Sequence, residues 1–198
     1  MSGTAKTSDM KERIMPPVVL TIICIIVSAL LAAAYNATYV DNTGVMTDKL
    51  KAGCEEVFGQ GNYEILTYED AESGKKLPVT FDTEGVNAII TDKDSGNCLI
   101  ELTQDGYSKG GLHLLIGFDS EGAVSGISFV SISETPGLGT NVQNESFWGK
   151  FVGFKAGDSV DGIDNVTAAT YSSKGMKAAV VKAAELYSQH KEEIFGGE

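Results

Sequence analysis

The 198-residue chain has room for one ordinary domain and an additional segment. Hydrophobic residues make up 42% of the chain and aromatic residues 8%, enough for a packed core, so the composition excludes wholesale disorder. The net charge is −12: residues 1–35 carry +1 and the rest of the chain carries −13, which argues against nucleic acid as a partner. Arg13 is the single arginine, so any phosphate bound later in the chain must be held by backbone N–H groups, hydroxyls or lysine.

Residues 14–38 are predicted to form a transmembrane anchor helix. The run 14–35 contains no charged residue, and as a helix it would be about 33 Å long against a hydrocarbon core of about 30 Å. Pro16 and Pro17 fall at its start, where a helix tolerates proline. Three basic residues precede the run, so we expect residues 1–13 in the cytoplasm and the rest of the chain outside the cell membrane. A cleaved signal peptide is the alternative, and it also exports the chain.

Residues 45–198 are predicted to fold as a single α+β domain with a central antiparallel sheet flanked by helices. An amphipathic helix is expected over 45–59, and the last helix over about 173–194. The strand predictions cover five segments: 63–68, 86–91, 97–103, 112–118 and 124–132. The segment 86–91 is also compatible with a short helix. Turn residues at 119–122 join the last two strands into a hairpin, and an aromatic segment after it predicts a short helix that caps the core.

The cysteines and histidines lack the spacing of metal ligands, so we expect no metal site. Cys24 lies within the apolar run. Cys54 and Cys98 either pair in an oxidising compartment or remain as buried free thiols, and the sequence leaves both possibilities open. His113 is expected to have a structural role on a strand.

Two segments contain residues suited to binding a phosphate-bearing ligand. The first reads S-E-T-P-G-L-G at 133–139, where proline fixes one φ and two glycines permit close approach of the backbone. The second, at 164–173, leads into the last helix and contains four hydroxyl residues: Thr167, Thr170, Ser172 and Ser173. Unpaired N–H groups and the positive dipole end at a helix N-terminus suit an anion. Taken alone, the two segments are more typical of a tight turn and a helix cap.

Together, these features resemble the FMN-binding domain family, and within it the G subunits of Rnf electron transport complexes. The resemblance rests on one N-terminal membrane helix, Gly110-Gly111 before the hairpin, S-E-T-P-G-L-G at 133–139 and D-x-x-T-x-A-T at 164–170. It covers the chain from residue 14 to about residue 190, and the seven consecutive matches at 133–139 are its most specific part.

The resemblance implies that FMN is attached covalently, through a phosphoester bond between its phosphate and the hydroxyl of Thr170. Asp164 matches the leading acid of the motif, which a flavin transferase would recognise, and Thr167 and Ala169 match further motif positions. Ala168 departs from the family, which usually has glycine there. The substitution is harmless if φ is negative at this position, whereas a positive φ would slow the attachment.

The resemblance also implies which residues surround the flavin. They are Glu134, Thr135, Gly137, Leu138, Gly139, Ser172 and Ser173. Thr135 and Leu138 would contact the isoalloxazine ring, while the two glycines would bring N–H groups to its polar edge. The serines would lie beside the phosphate at the helix N-terminus. A lone loop carboxylate such as Glu134 more often stabilises a turn than transfers a proton.

The function implied by the resemblance is electron transfer within a membrane-bound ferredoxin:NAD oxidoreductase that moves Na⁺ or H⁺. The partners would be the A, B, C, D and E subunits of the complex and a flavin transferase, and the chain alone would have no activity. It lacks an iron–sulfur cysteine cluster and a G-x-G-x-x-G fingerprint. Two alternatives stay open. One is the C subunit of the sodium-translocating NADH:quinone reductase, and the other is a non-redox, membrane-anchored surface module.

Overall fold

The computed structural model describes residues 4–38, 44–72, 74–92 and 94–196, with side chains described from residue 14 onward. The chain divides into two compact units, Met1–Asp41 and Asn42–Glu198, each with its own architecture.

The first unit contains one long helix, α1 (Thr4–Thr38). Within the described residues, its segment Ile14–Thr38 is the single stretch of helix long and apolar enough to cross a membrane. The expectation that Pro16 and Pro17 begin the helix is wrong, because the helix starts ten residues before the apolar segment and both prolines lie inside it. Lysine and glutamate are good helix formers, which accounts for helix in the polar segment ahead of the prolines.

Among its described residues, the second unit contains seven strands in addition to its helices. They are β1 (Tyr63–Ile65), β2 (Thr67–Glu69), β3 (Lys76–Pro78), β4 (Val86–Asp92), β5 (Asn97–Gln104), β6 (Leu112–Phe118) and β7 (Val124–Ile132). Five of them form an antiparallel sheet in the order β1-β4-β5-β6-β7, and β2 pairs with β3 in a separate ribbon. The central antiparallel sheet confirms the predicted α+β class. The single strand predicted over 63–68 is wrong: Leu66 separates β1 from β2, and its backbone bonds to Ile89 and Val79 redirect the chain.

Helices cover both faces of the sheet. Helix α2 (Asp48–Phe58) begins after Thr47, whose hydroxyl accepts a hydrogen bond from Leu50 N at 3.2 Å. It buries Leu50 and Cys54 against one face of the sheet. Helix α4 (Thr170–Gly196) buries a longer apolar stripe against the opposite face. Side chains alternate between the two faces along each strand, so the sheet separates two apolar cores.

The thiols of Cys54 and Cys98 are free and fully buried. Cys54 packs in the core beneath α2, whereas Cys98 packs in the core beneath α4. The sheet lies between them, so the structure favours the free-thiol alternative over the disulfide.

The segment between β7 and α4 contains α3 (Glu145–Trp148), flanked by 3₁₀ turns at Gly139–Gln143 and Gly149–Phe151. It buries Phe147 and Phe151 in the core beneath α4, as expected for a short capping helix. The predicted start of α4 is wrong by three residues. Its first i→i−4 bond runs from Ser173 N to the Ala169 carbonyl at 2.8 Å, so Thr170 belongs to the first turn.

Candidate functional site

A pocket of about 350 Å³ lies where the loop 133–139 meets the start of α4. One wall consists of Tyr107 from residues 106–111, the glycine-rich turn that precedes β6. The loop contributes Thr135, Leu138 and Gly139, and residues 168–172 complete the lining. Three segments far apart in sequence therefore form one concave surface.

The four hydroxyl residues of the 164–173 segment occupy different environments. Ser172 is buried and donates to Glu134 Oε2 at 2.6 Å, while the buried Ser173 Oγ accepts from Val166 N at 3.0 Å. Thr167 is exposed and lies outside the pocket lining. Thr170 is exposed, lines the pocket and has no hydrogen bond to its hydroxyl within the part of the chain that the structure describes. Of the four, Thr170 alone offers an unengaged hydroxyl to the pocket.

The position of Thr170 within α4 also suits a phosphate. Because the first helical bond comes from Ser173 N, the N–H groups of Thr170, Tyr171 and Ser172 have no helical carbonyl to bind. The positive end of the helix dipole lies at the same place. A phosphate held here would meet N–H donors and a favourable potential without an arginine.

The residues that precede Thr170 have contrasting environments. Asp164 is exposed, and its carboxylate has no hydrogen-bond or ion-pair partner among the described residues, so an approaching protein can reach it. Ala169 is buried in the core beneath α4, which anchors the start of the helix. Between them, Ala168 has φ of +61°. Ala168, which stands where the FMN-binding domain family usually has glycine, therefore adopts the left-handed conformation that glycine favours.

The loop 133–139 contributes residues to the pocket unevenly. Leu138 is 46% exposed and Thr135 is exposed, and both line the pocket. Gly139 is the third loop residue that lines it, and it is buried. Gly137 lies outside the lining. Its N–H donates to Thr140 Oγ1 at 2.9 Å and its φ is +72°, so glycine serves the turn itself and its N–H is already engaged.

Glu134 is 6% exposed and lies behind the pocket lining. Its Oε2 accepts hydrogen bonds from Tyr107 N at 3.0 Å and Ser172 Oγ at 2.6 Å, and its Oε1 accepts one from Ser108 N at 3.1 Å. These bonds offset the cost of burying the carboxylate. The arrangement is that of a structural acceptor, in agreement with the turn-stabilising alternative for this residue.

Two pocket residues were missed by the sequence-based prediction: Tyr107 and Tyr171. They are 71% and 67% exposed, and their ring centroids lie 6.2 Å apart at an interplanar angle of 67°. Tyr171 directly follows Thr170, which is the one signal that could have pointed to it. Two large exposed rings beside a pocket provide contact area for a planar aromatic ligand.

One known protein family matches the segment that contains the pocket. Residues 106–185 match the model of the FMN-binding domain family, and this segment contains every residue that lines the pocket. The free hydroxyl at a helix N-terminus, the pocket and the exposed rings fit a phosphate-bearing flavin. The segment 106–185 is therefore similar to an FMN-binding domain.

The chain is also similar to individual proteins that are named as subunits of oxidoreductase complexes. The chain is 28% identical over 191 residues to the G subunit of the ion-translocating oxidoreductase complex of Methanosarcina acetivorans, an alignment that covers 91% of this chain and 97% of the relative. It is 32% identical over 119 residues to the same-named protein of Aliivibrio fischeri strain MJ11, covering 54% and 56% of the two chains. It is 32% identical over 120 residues to the G subunit of the proton-translocating ferredoxin:NAD(+) oxidoreductase complex of Clostridium ljungdahlii, covering 52% and 65%. The last two alignments span less than two thirds of each relative. The chain is therefore similar to the G subunits of ion-translocating oxidoreductase complexes, and part of it matches an FMN-binding domain.

Proposed function

We propose that this chain is the flavin-carrying, electron-transferring subunit of a membrane-bound, ion-translocating oxidoreductase of the ferredoxin:NAD type. The FMN-binding domain supports the flavin, and the similarity to G subunits supports membership in such a complex. The apolar segment Ile14–Thr38 supports attachment to a membrane. FMN would supply reversible single-electron transfer, and the protein would hold and orient it.

Thr170 is the proposed point of covalent attachment. The observation that carries this proposal is its exposed, unengaged hydroxyl at the first residue of α4, beside the pocket. Formation of the phosphoester joins the threonine oxygen to the flavin phosphorus. It breaks a phosphoanhydride bond in an activated FMN donor, so the other phosphate of that donor leaves with the group attached to it, and the hydroxyl proton is released. This step needs a flavin transferase, for which the exposed Asp164 is the proposed recognition residue.

The chain's own residues would retain and shield the flavin. The N–H groups of the first turn of α4 would face the phosphate, and a covalent bond would prevent loss of the cofactor from an exported domain. Thr135 and Leu138 would cover the ring on the loop side of the pocket, with Gly139 allowing close approach. A protein surface over the ring excludes water and thereby affects its potential.

Other subunits would perform the remaining steps. Basic residues before the apolar segment of α1 favour a cytoplasmic N-terminus, so the FMN-binding domain would lie on the opposite side of the membrane. The membrane segment contains no charged residue, so a path for Na⁺ or H⁺ would belong to partner subunits. The A, B, C, D and E subunits of an Rnf-type complex are the proposed partners, with NAD and ferredoxin bound there.

Covalent attachment can be tested by expressing the full chain with a flavin transferase and examining a denaturing gel under ultraviolet light. The wild-type band should fluoresce, and Thr170→Ala should abolish the fluorescence because the acceptor oxygen is gone. Thr167→Ala is the matched control, since Thr167 is also exposed but lies outside the pocket lining, and its band should remain bright. A dark wild-type band, or a fluorescent Thr170→Ala band, would refute the attachment.

A further inference from the structure

The buried carboxylate of Glu134 joins two segments that form different walls of the pocket. On one side it binds Tyr107 N and Ser108 N in the glycine-rich turn, at 3.0 and 3.1 Å. On the other side it binds the hydroxyl of Ser172 in the first turn of α4, at 2.6 Å. Tyr107 and Ser172 both line the pocket, whereas the carboxylate does not. The residue can therefore act on a bound flavin only through the groups that it holds.

Three glycines close around this carboxylate and fix its position. A Cβ atom added to Gly106 would lie 2.6 Å from Oε1, and one added to Gly139 would lie 2.8 Å from Oε2. A Cβ atom on Gly111 would approach Oε1 more closely still. Real Cβ atoms do not approach oxygen this closely, so the absence of side chains at these positions makes room for the carboxylate. Its geometry is set by packing as well as by hydrogen bonds.

The backbone on either side of Glu134 is also held. Ser133 N donates to the Gly111 carbonyl at 2.8 Å, which ties the end of β7 to the glycine-rich turn. Within the described residues no ion pair involves Glu134, so its charge is balanced by the three hydrogen bonds and the adjacent N-terminus of α4. Loss of the carboxylate would release Tyr107 and Ser172 at the same time.

We propose that Glu134 is a positioning residue that holds the Tyr107 wall and the α4 wall of the pocket at a fixed separation for the flavin ring. This inference rests on the proposed function. The exposed rings of Tyr107 and Tyr171, whose centroids lie 6.2 Å apart, can contact a planar ring in a defined orientation only while their two segments stay in register. The hydrogen bonds of Glu134, which lies behind the pocket lining, keep these two segments in a fixed relative position.

The test uses the full-length, flavin-loaded protein in detergent and compares Glu134→Gln with Glu134→Ala. The readout is circular dichroism of the visible flavin bands, which depends on a fixed, asymmetric surrounding for the ring. Both variants should lose these bands while retaining the fluorescent gel band. Glutamine keeps the shape of the side chain but replaces one of the two accepting oxygens with an NH₂ group. It therefore cannot accept all three hydrogen bonds. Ser172→Ala removes one bond only and should cause a smaller loss.

Asp92→Asn is the matched control. Asp92 is likewise 6% exposed, and its carboxylate accepts from Asp94 N at 3.2 Å and Ser95 Oγ at 2.5 Å. It is the last residue of β4 and pairs with Asn97 at the start of β5, the end of β5 opposite the glycine-rich turn. This substitution should lower the stability of the fold but leave the visible bands unchanged.

The outcomes separate this inference from the proposed function. A wild-type gel band without fluorescence refutes the proposed covalent attachment of FMN. A fluorescent band together with unchanged visible bands in both Glu134 variants overturns the positioning role alone. Equal loss in Asp92→Asn also overturns it, because the effect would then follow general destabilisation. If Glu134→Ala does not fold, the visible bands of Glu134→Gln and Ser172→Ala are compared with those of the wild type instead.

Discussion

Ala168 has φ of +61°, a conformation that costs an L-residue with a Cβ atom roughly 1–2 kcal/mol. Glycine has no such penalty but loses more conformational entropy on folding. We therefore expect Ala168→Gly to raise the free energy of unfolding by about 0.5–1 kcal/mol. Urea unfolding of the detergent-solubilised chain measures this as a higher midpoint with an unchanged slope.

Ala169→Gly provides the control for this prediction. Ala169 is buried in the core and is absent from the described residues with positive φ, so glycine there removes a packed methyl group and relieves no strain. Its midpoint should fall. Equal shifts in the same direction for both variants would contradict the role assigned to the backbone at Ala168.

Individual site residues were predictable to different degrees. The sequence motif led to Thr170 and to the loop residues Thr135 and Leu138, which line one pocket in the structure. Glu134 could not be assigned its environment, because its three donors lie 26 to 38 residues away along the chain. Tyr107 was missed because an exposed aromatic residue and a core aromatic residue look alike in a single sequence.

Helix α2 packs on a pair of glycines in β6 and β7, and this contact is the basis of a second prediction. Gly117 pairs with Gly126, and an added Cβ atom at Gly117 would lie 2.5 Å from Val57 Cγ1 and 2.8 Å from the Phe58 ring. Gly117→Ala must therefore displace α2 or distort its side chains. We expect a loss of about 1–3 kcal/mol in the free energy of unfolding.

Gly126→Ala is the comparison for Gly117→Ala. A Cβ atom there would lie 3.3 Å from Val57 Cγ1, a contact that a small shift of the side chain can relieve. Urea unfolding should show a clearly smaller loss for Gly126→Ala. A loss equal to that of Gly117→Ala would indicate that both positions are limited by the strand and not by α2.

Among the elements, β6 and β7 were predicted to the residue, and the reason is local. Each is an apolar run, and the turn between them is closed by Asp119 Oδ1, which accepts from Glu121 N and Ala123 N at 2.9 Å. The start of α4 was placed too late because serine and threonine favour caps over helix interiors. In the structure Ser172 bonds from within the helix to Glu134, a tertiary contact that propensity does not encode, and Ser173 accepts from Val166 in the preceding loop.

At the scale of the whole domain, groups buried on both sides of the sheet predict sensitivity to high pH. Burial, with Glu101 and Glu55 adding to it, raises the pKa of the Cys54 thiol to about 12, and burial also raises the pKa of Cys98. Burial raises the pKa of Tyr187 to about 12. Above about pH 9 the unfolded chain releases thiol protons that the folded chain keeps, so the free energy of unfolding falls as pH rises.

Urea unfolding between about pH 8 and about pH 10 measures this decline, which has a limiting slope of about 1.4 kcal/mol per pH unit for each thiol. Cys54→Ala should be less stable than the wild type near neutral pH but should decline less steeply, because one of the two thiols is gone. Parallel curves for the two proteins would show that Cys54 does not contribute to the pH dependence.

The hydrogen bonds of Glu134 also determine when the pocket can form during folding. They connect residues 26, 27 and 38 positions apart, so the two walls meet only after the β6–β7 hairpin has closed and α4 has packed beneath the sheet. For contacts of such separation, the entropy cost of closing the loop comes before the contact contributes any favourable energy. We therefore expect these hydrogen bonds to form late in folding. The pocket should therefore be among the last parts to order on refolding and the first to open under mild denaturant. A flavin held there would report this final folding step by its optical signal, well before global unfolding is detected.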